Sequence, residues 1–180
     1  MIIAITGVPG TGKSSVSRIL GRLLDYRVVD VNSLAREKKL LKGYDRKRQT
    51  YVADLGAISR EVRRLGRLNK GDLVVEGHYS EEVCRPDVVF VLRCNPRVLA
   101  RRLGRRKYAR GKIRENVLAE VLDSSTINAL KRCARVFEVE TSGLKPGETA
   151  KLVLKMVRNP GGERRNGIDY ARYLDFAVSL

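Results

Sequence analysis

The chemistry is most concentrated in TGVPGTGKSS, residues 6–15. Gly7, Gly12, Lys13 and Ser14 stand at the spacing G-x-x-x-x-G-K-S, a pattern that suits a nucleotide polyphosphate. Gly7 lets the chain turn sharply, and Gly10 and Gly12 let backbone N–H groups approach phosphate oxygens with no Cβ in the way. Thr11 belongs to the same cradle. A helix opening at Lys13 would add the partial positive charge of its amino end. In this pattern Lys13 reaches the β- and γ-phosphates and the Ser14 hydroxyl ligates Mg²⁺. Ser15, by position, can bond the α-phosphate. A chance match is on the order of 1% for a chain of this length at average Gly, Lys and Ser/Thr frequencies.

A second group of residues could complete that site. LVVEGHYSE ends an apolar run with Glu76, Gly77 and His78. Phosphoryl-transfer sites of this kind need a carboxylate to hold Mg²⁺, usually through water, and Glu76 can serve. His78 follows two residues later, where it can act as a catalytic or water-orienting group. Asn69-Lys70-Gly71-Asp72 matches a guanine-reading pattern, N-K-x-D. It precedes LVVE, so it sits at that strand's amino end, on the wrong rim to meet the phosphate loop. It reads as a polar turn.

Five short apolar, β-branched runs can position these groups: IIAIT (2–6), YRVVD (26–30), LVVE (73–76), VVFVL (88–92) and VFEVE (136–140). Near-continuous apolar runs indicate strands covered on both faces. Helical spacing occupies 13–24, 56–68, 115–132 and 147–158, the third with Val117, Leu118, Val121, Leu122, Ile127 and Leu130 as its apolar stripe. The alternation predicts an α/β fold, a five-stranded parallel sheet with helices on both faces, and ligands at the strands' carboxyl ends. Two stretches break the rhythm. Residues 31–54 are polar and long for a connection, and 101–114, RRLGRRKYARGKIR, is very basic. Insertions at the ligand edge serve as lids or specificity loops. Asn159-Pro160-Gly161-Gly162 ends the last helix, and the tail beyond it carries Ile168, Ala171, Leu174 and Val178 at helical spacing. It could pack, bind a partner or stay disordered.

The 180 residues fit one domain with one sizeable core. The formal net charge of +17 exceeds what a bound nucleotide requires and creates a field for polyanions; a general basic bias of the source proteome gives the same number. The arginines cluster at Arg60, Arg63, Arg64 and Arg67 and again over 101–110, without interleaved aromatic residues. MIIAI has no basic leader or cleavage site and reads as a strand. No apolar run is long enough for a membrane span. Cys84, Cys94 and Cys133 lack metal or disulfide spacing, which points to a reducing cytoplasm.

Together TGVPGTGKSS, VNSLAREKKLLKGYD (31–45), Glu76-Gly77-His78, VVFVLRCNP (88–96) and RRLGRRKYARGKIRENVLAE (101–120) resemble the adenylate kinase isoenzyme 6 group, the CINAP-type nucleotide kinases of eukaryotes and archaea. The resemblance covers residues 1 to about 158. It implies a P-loop nucleoside monophosphate kinase core over 1–158, with an acceptor-binding insertion at about 30–53 and a lid at about 105–115. Arg36 would grip the AMP phosphate and Arg106 the ATP, with Arg102 and Arg105 as lesser candidates. It further implies Mg²⁺-dependent transfer from ATP to AMP, an accompanying ATPase activity, and a role in small ribosomal subunit assembly through ribosomal protein uS11 and small-subunit RNA. Two alternatives stay open. One is an ATPase-driven assembly factor with negligible kinase activity; the other is a kinase for another small acceptor such as CMP. The family usually has Asp where Glu76 stands, and the tail 159–180 has no counterpart from which a role can be carried.

Overall fold

A computed structural model describes residues 1–45, 50–159 and 167–180. In chain order the elements are β1 (Ile2–Thr6), α1 (Lys13–Leu24), β2 (Arg27–Asp30), α2 (Val31–Glu37), β3 (Leu41–Asp45), β4 (Thr50–Ala53), α3 (Leu55–Leu68) and β5 (Leu73–Glu76). There follow α4 (Ser80–Val83), β6 (Val88–Arg93), α5 (Pro96–Arg105), α6 (Arg110–Val121), α7 (Ser124–Arg132), β7 (Val136–Glu140), α8 (Pro146–Arg158) and α9 (Leu174–Ser179). The main sheet is five-stranded and parallel, in the order β2-β5-β1-β6-β7, and its strands are the five expected from the apolar runs.

The strands' two-residue period divides the core. Ile3 and Ile5 of β1 and Phe90 and Leu92 of β6 face α1 and α8, with Leu20 and Val153 against them. Ala4, Val89 and Val91 face the other way, onto Ile58 and Val62 of α3 and Ala129 of α7. Burying both faces removes every strand's side chains from water and explains why the runs are apolar without alternation.

Three elements differ from the sequence expectation. The single helix expected over 115–132 is two helices, parted at Asp123, whose φ of 53° is left-handed. That turn rotates the second half, so Leu122 is 57% exposed and Ile127 46%, while Ser125, Thr126 and Ala129 are buried instead. The long polar stretch folds as α2 and an antiparallel hairpin, β3–β4. The tail packs, but not on the expected stripe. Leu174 and Val178 are exposed, whereas Tyr170 and Ala177 are buried with Leu99, Leu103, Val117 and Val121 of α5 and α6. The buried register runs one residue off the predicted one because the aromatic residues Tyr170, Tyr173 and Phe176 offer more apolar area than Ala171 and Leu174. Helix α8 ends at Arg158; Pro160-Gly161-Gly162, assigned to the break, lies outside the described residues.

Asn69-Lys70-Gly71-Asp72 forms the turn between α3 and β5, and Asp72 accepts from the Met1 amine at the amino edge of the sheet. The rim assignment from sequence holds. Among the described residues no helix is long and apolar enough to cross a membrane.

Candidate active site

The loop between β1 and α1 is shaped by contacts that exclude a side chain. At Gly7 (φ 136°) a Cβ would lie 2.5 Å from the Leu92 carbonyl oxygen, and at Gly10 (φ 94°) it would lie 2.8 Å from Leu99 Cδ1. The loop therefore rests directly on β6 and α5. Thr11 is buried and spends its hydroxyl inside the loop, donating to the Val8 carbonyl at 3.0 Å. Lys13, the first residue of α1, folds back and donates to the carbonyls of Gly7 (2.8 Å) and Val8 (3.0 Å). Burial lowers its ammonium pKa to about 8; Arg106 acts in the same direction, and Glu76, Glu120 and Asp30 oppose it. Ser14 and Ser15 are exposed at the helix amino end.

Across the loop, Glu76 ends β5 and is 3% exposed. Asp30 ends β2, the neighbouring strand, and pairs in register with Glu76. Burial raises the Glu76 pKa; hydrogen bonding from Ser14 and the charge of Lys13 lower it, and Asp30 raises it further. Asp30 also caps α2, accepting from the amides of Asn32 (2.9 Å) and Ser33 (3.1 Å). Two carboxylates and a hydroxyl make a hard oxygen set suited to Mg²⁺, which binds through few protein ligands when substrate phosphates and water supply the rest. The residues present fit that ion.

His78 stands just beyond β5, with Nδ1 3.4 Å from the Gly7 carbonyl oxygen. Burial lowers its pKa, and Lys13 lowers it further, so the neutral imidazole dominates at neutral pH. A proton on Nδ1 satisfies that carbonyl and leaves Nε2 with a free lone pair.

These groups meet in two adjoining cavities. One, of about 200 Å³, is lined by Lys13, Ser14, Glu76, His78, Arg106 and Tyr108, with Asn32 at its edge. The other, of about 350 Å³, runs from Gly10, Gly12 and Ser15 past Arg105 and Arg106 to Leu144 and Pro146. Arg106, at the carboxyl cap of α5, lines both. Arg36 lines neither, but it lies four residues after Asn32 on α2 and so shares its face. Asp30, Asn32 and Tyr108 were not singled out from sequence. Asp30 is the end of a strand already recognised, which is a usable signal in a parallel sheet; nothing local marks Asn32 or Tyr108.

The chain matches the family described as "AAA domain" over residues 3–123. Two archaeal proteins described as "Putative adenylate kinase" align along nearly all of it or most of it. That of Thermococcus kodakarensis is 38% identical over 97% of this chain and 96% of its own length. That of Methanosarcina barkeri is 34% identical over 87% and 86%. Among solved structures, shikimate kinase from Bacteroides thetaiotaomicron has a TM-score of 0.61 at 12% identity, covering 88% of this chain and 98% of that one. Shikimate kinase from Aquifex aeolicus has a TM-score of 0.57 at 16% identity, covering 91% and 100%. These last two speak for the fold.

Proposed function

The chain belongs to the AAA domain family, and from that membership and the geometry of its site we propose that it is a nucleoside monophosphate kinase, catalysing ATP + AMP ⇌ 2 ADP with Mg²⁺. The observation that carries this reading is the position of Arg106, which lines the phosphate-loop cavity and the larger cavity beside it. A donor nucleotide spanning both would place its γ-phosphoryl group between Lys13 and Arg106. The acceptor would enter from the α2 side, where Asn32 and Arg36 share a face, with 30–53 as its binding insertion and 105–115 as the lid. An oxygen of the AMP phosphate forms the new P–O bond as the bond from the γ-phosphorus to the β,γ-bridging oxygen breaks. ADP leaves on each side. Such transfer needs alignment, charge neutralisation and exclusion of water more than covalent work by the protein. Ser14 and Glu76, with Asp30 beside them, would hold Mg²⁺, which supplies charge neutralisation at the β- and γ-phosphates when bound. His78 Nε2 can accept from an attacking water, which gives ATP hydrolysis when no acceptor is bound.

Product analysis tests this. With ATP and AMP the protein should form two ADP per ATP consumed, and with ATP alone it should form ADP and phosphate more slowly. ADP formation unaffected by AMP would leave an ATPase and remove the kinase; a faster reaction with CMP would change the acceptor. His78→Ala should slow hydrolysis more than it weakens nucleotide binding.

A second role is favoured by the +17 charge, which exceeds the needs of two nucleotides. With the resemblance to the CINAP-type kinases, it supports action in small ribosomal subunit assembly, on uS11 and small-subunit RNA, with nucleotide turnover switching the grip. Binding to either partner that ignores ATP would count against the switch.

A further inference from the structure

Arg102 lies one turn before Arg106 on α5, yet its guanidinium is used differently. It is half-buried, and it donates to protein acceptors on three separate segments. Nη2 donates to the Thr141 carbonyl at 2.9 Å, and Nη1 lies 3.3 Å from Thr141 Oγ1, 3.4 Å from the Gly10 carbonyl oxygen and 3.4 Å from Cys94 Sγ. Gly10 belongs to the phosphate loop. Thr141 opens the segment between β7 and α8, which leads to Leu144 and Pro146 on the far wall of the 350 Å³ cavity. By contrast, Arg105 and Arg106 are exposed and make no side-chain hydrogen bond or ion pair among the described residues.

We propose that Arg102 is a positioning residue: it ties the phosphate loop to the opposite wall of the larger cavity and so fixes the span that a nucleoside triphosphate must fit. A planar guanidinium suits the task, because its fork can serve acceptors on two segments at once, which a lysine ammonium on a flexible stem cannot hold in fixed geometry. The other supports of each wall are independent. Gly10 rests on Leu99 and Leu103, and Thr141 N and Oγ1 both donate to the Arg93 carbonyl at 2.9 Å. Arg102 is the group that joins the two. Arg105 and Arg106 are thereby left for the nucleotide itself. The inference rests on the kinase reading in taking ATP as the spanning ligand.

The test compares ATP with inorganic tripolyphosphate, which fills the phosphate loop but reaches no far wall. Binding of each is titrated calorimetrically to the full chain and to Arg102→Ala and Arg102→Lys. Arg102→Ala should weaken ATP roughly tenfold, the loss expected for a charge-assisted hydrogen bond, and tripolyphosphate by less than about twofold. Arg102→Lys, which keeps the charge and safeguards the fold should the alanine variant melt, should resemble Arg102→Ala, and guanidinium ion should restore part of the loss in Arg102→Ala. In turnover, the KM for ATP should rise with kcat little changed. Equal loss for both ligands, or a lysine variant that binds like the original, would make Arg102 a simple phosphate charge and overturn the proposal. So would a fall in kcat at unchanged KM. Because binding is read without turnover, absence of ADP formation would remove the kinase reading while leaving this comparison intact.

Discussion

Lys13 links burial to activity most directly. Its ordinary pKa of 10.5 is lowered to about 8 by burial under the loop, so the free protein loses the ammonium as pH rises through that value. The rate constant kcat/KM for ATP should therefore fall above about pH 8, whereas kcat, measured with phosphates bound beside the ammonium, should fall only at higher pH. Stability moves the other way. Between about 8 and 10.5 the unfolded chain binds more protons at this site than the folded one, so raising pH through that window relieves a cost of folding. Parallel pH–rate and pH–denaturation series would read both. In Lys13→Met the alkaline limb should vanish and turnover should drop on the order of 10²-fold or more, the loss of a contact to the transferring charge. The phosphate loop was legible in sequence because its function depends on contiguous residues and on small glycines whose reason is local. Asp30 and Tyr108 were not, because they reach the cavity through strand pairing and through the α5–α6 turn. Periodicity carries no information about which strand ends become neighbours.

Elements are joined near the site by a buried arginine that sequence did not flag. Arg93, at the end of β6, is 1% exposed. Its Nε donates to Glu120 of α6 at 2.8 Å, Nη1 to Glu138 of β7, and Nη2 to Asp123 before α7. The Tyr170 ring of the tail covers it, with the guanidinium carbon 5.2 Å from the ring centre. Burial disfavours its charge, but Glu120, Glu138 and Asp123 more than offset this and hold its pKa above the ordinary value. Removing one partner leaves a buried charge uncompensated, which costs about 3–5 kcal/mol. Urea denaturation of Glu120→Ala should show a loss of that order, and Arg93→Leu, which strands three carboxylates, should lose at least as much. A change below about 1 kcal/mol in Glu120→Ala would mean the pair is dispensable. The same hub explains two sequence-level misses. The apolar stripe ran on from Val121 to Ile127 and so concealed the break at Asp123, which turns the chain to face Arg93. The tail looked unassigned because its anchors, Tyr170 and Ala177, gain their burial only against α5 and α6.

For the whole molecule the question is where the +17 charge acts. The apolar residues of α3 turn inward at Ile58, Val62 and Leu65, leaving Arg60, Arg63, Arg64 and Arg67 exposed. Helix α5 does the same, burying Leu99 and Leu103 and exposing Arg97, Arg101 and Arg105. Both helices are amphipathic, so the sequence already implied that their arginines face water, though it could not say how they lie relative to the nucleotide cavities. Arg105 and Arg106 line those cavities, while the α3 arginines belong to another part of the sheet's flank. If the outward charge binds RNA, phosphate neutralisation releases counterions and affinity falls steeply with salt. Binding of a small-subunit RNA fragment should weaken by about tenfold or more between about 50 and 200 mM salt. Charge reversal at Arg63 and Arg67 should flatten that slope without changing the KM for ATP, because neither residue lines a nucleotide cavity. A slope near zero in the unaltered protein would assign the excess charge to general composition. A slope abolished by saturating ATP would place the RNA on the lid arginines instead, in direct competition with the donor nucleotide.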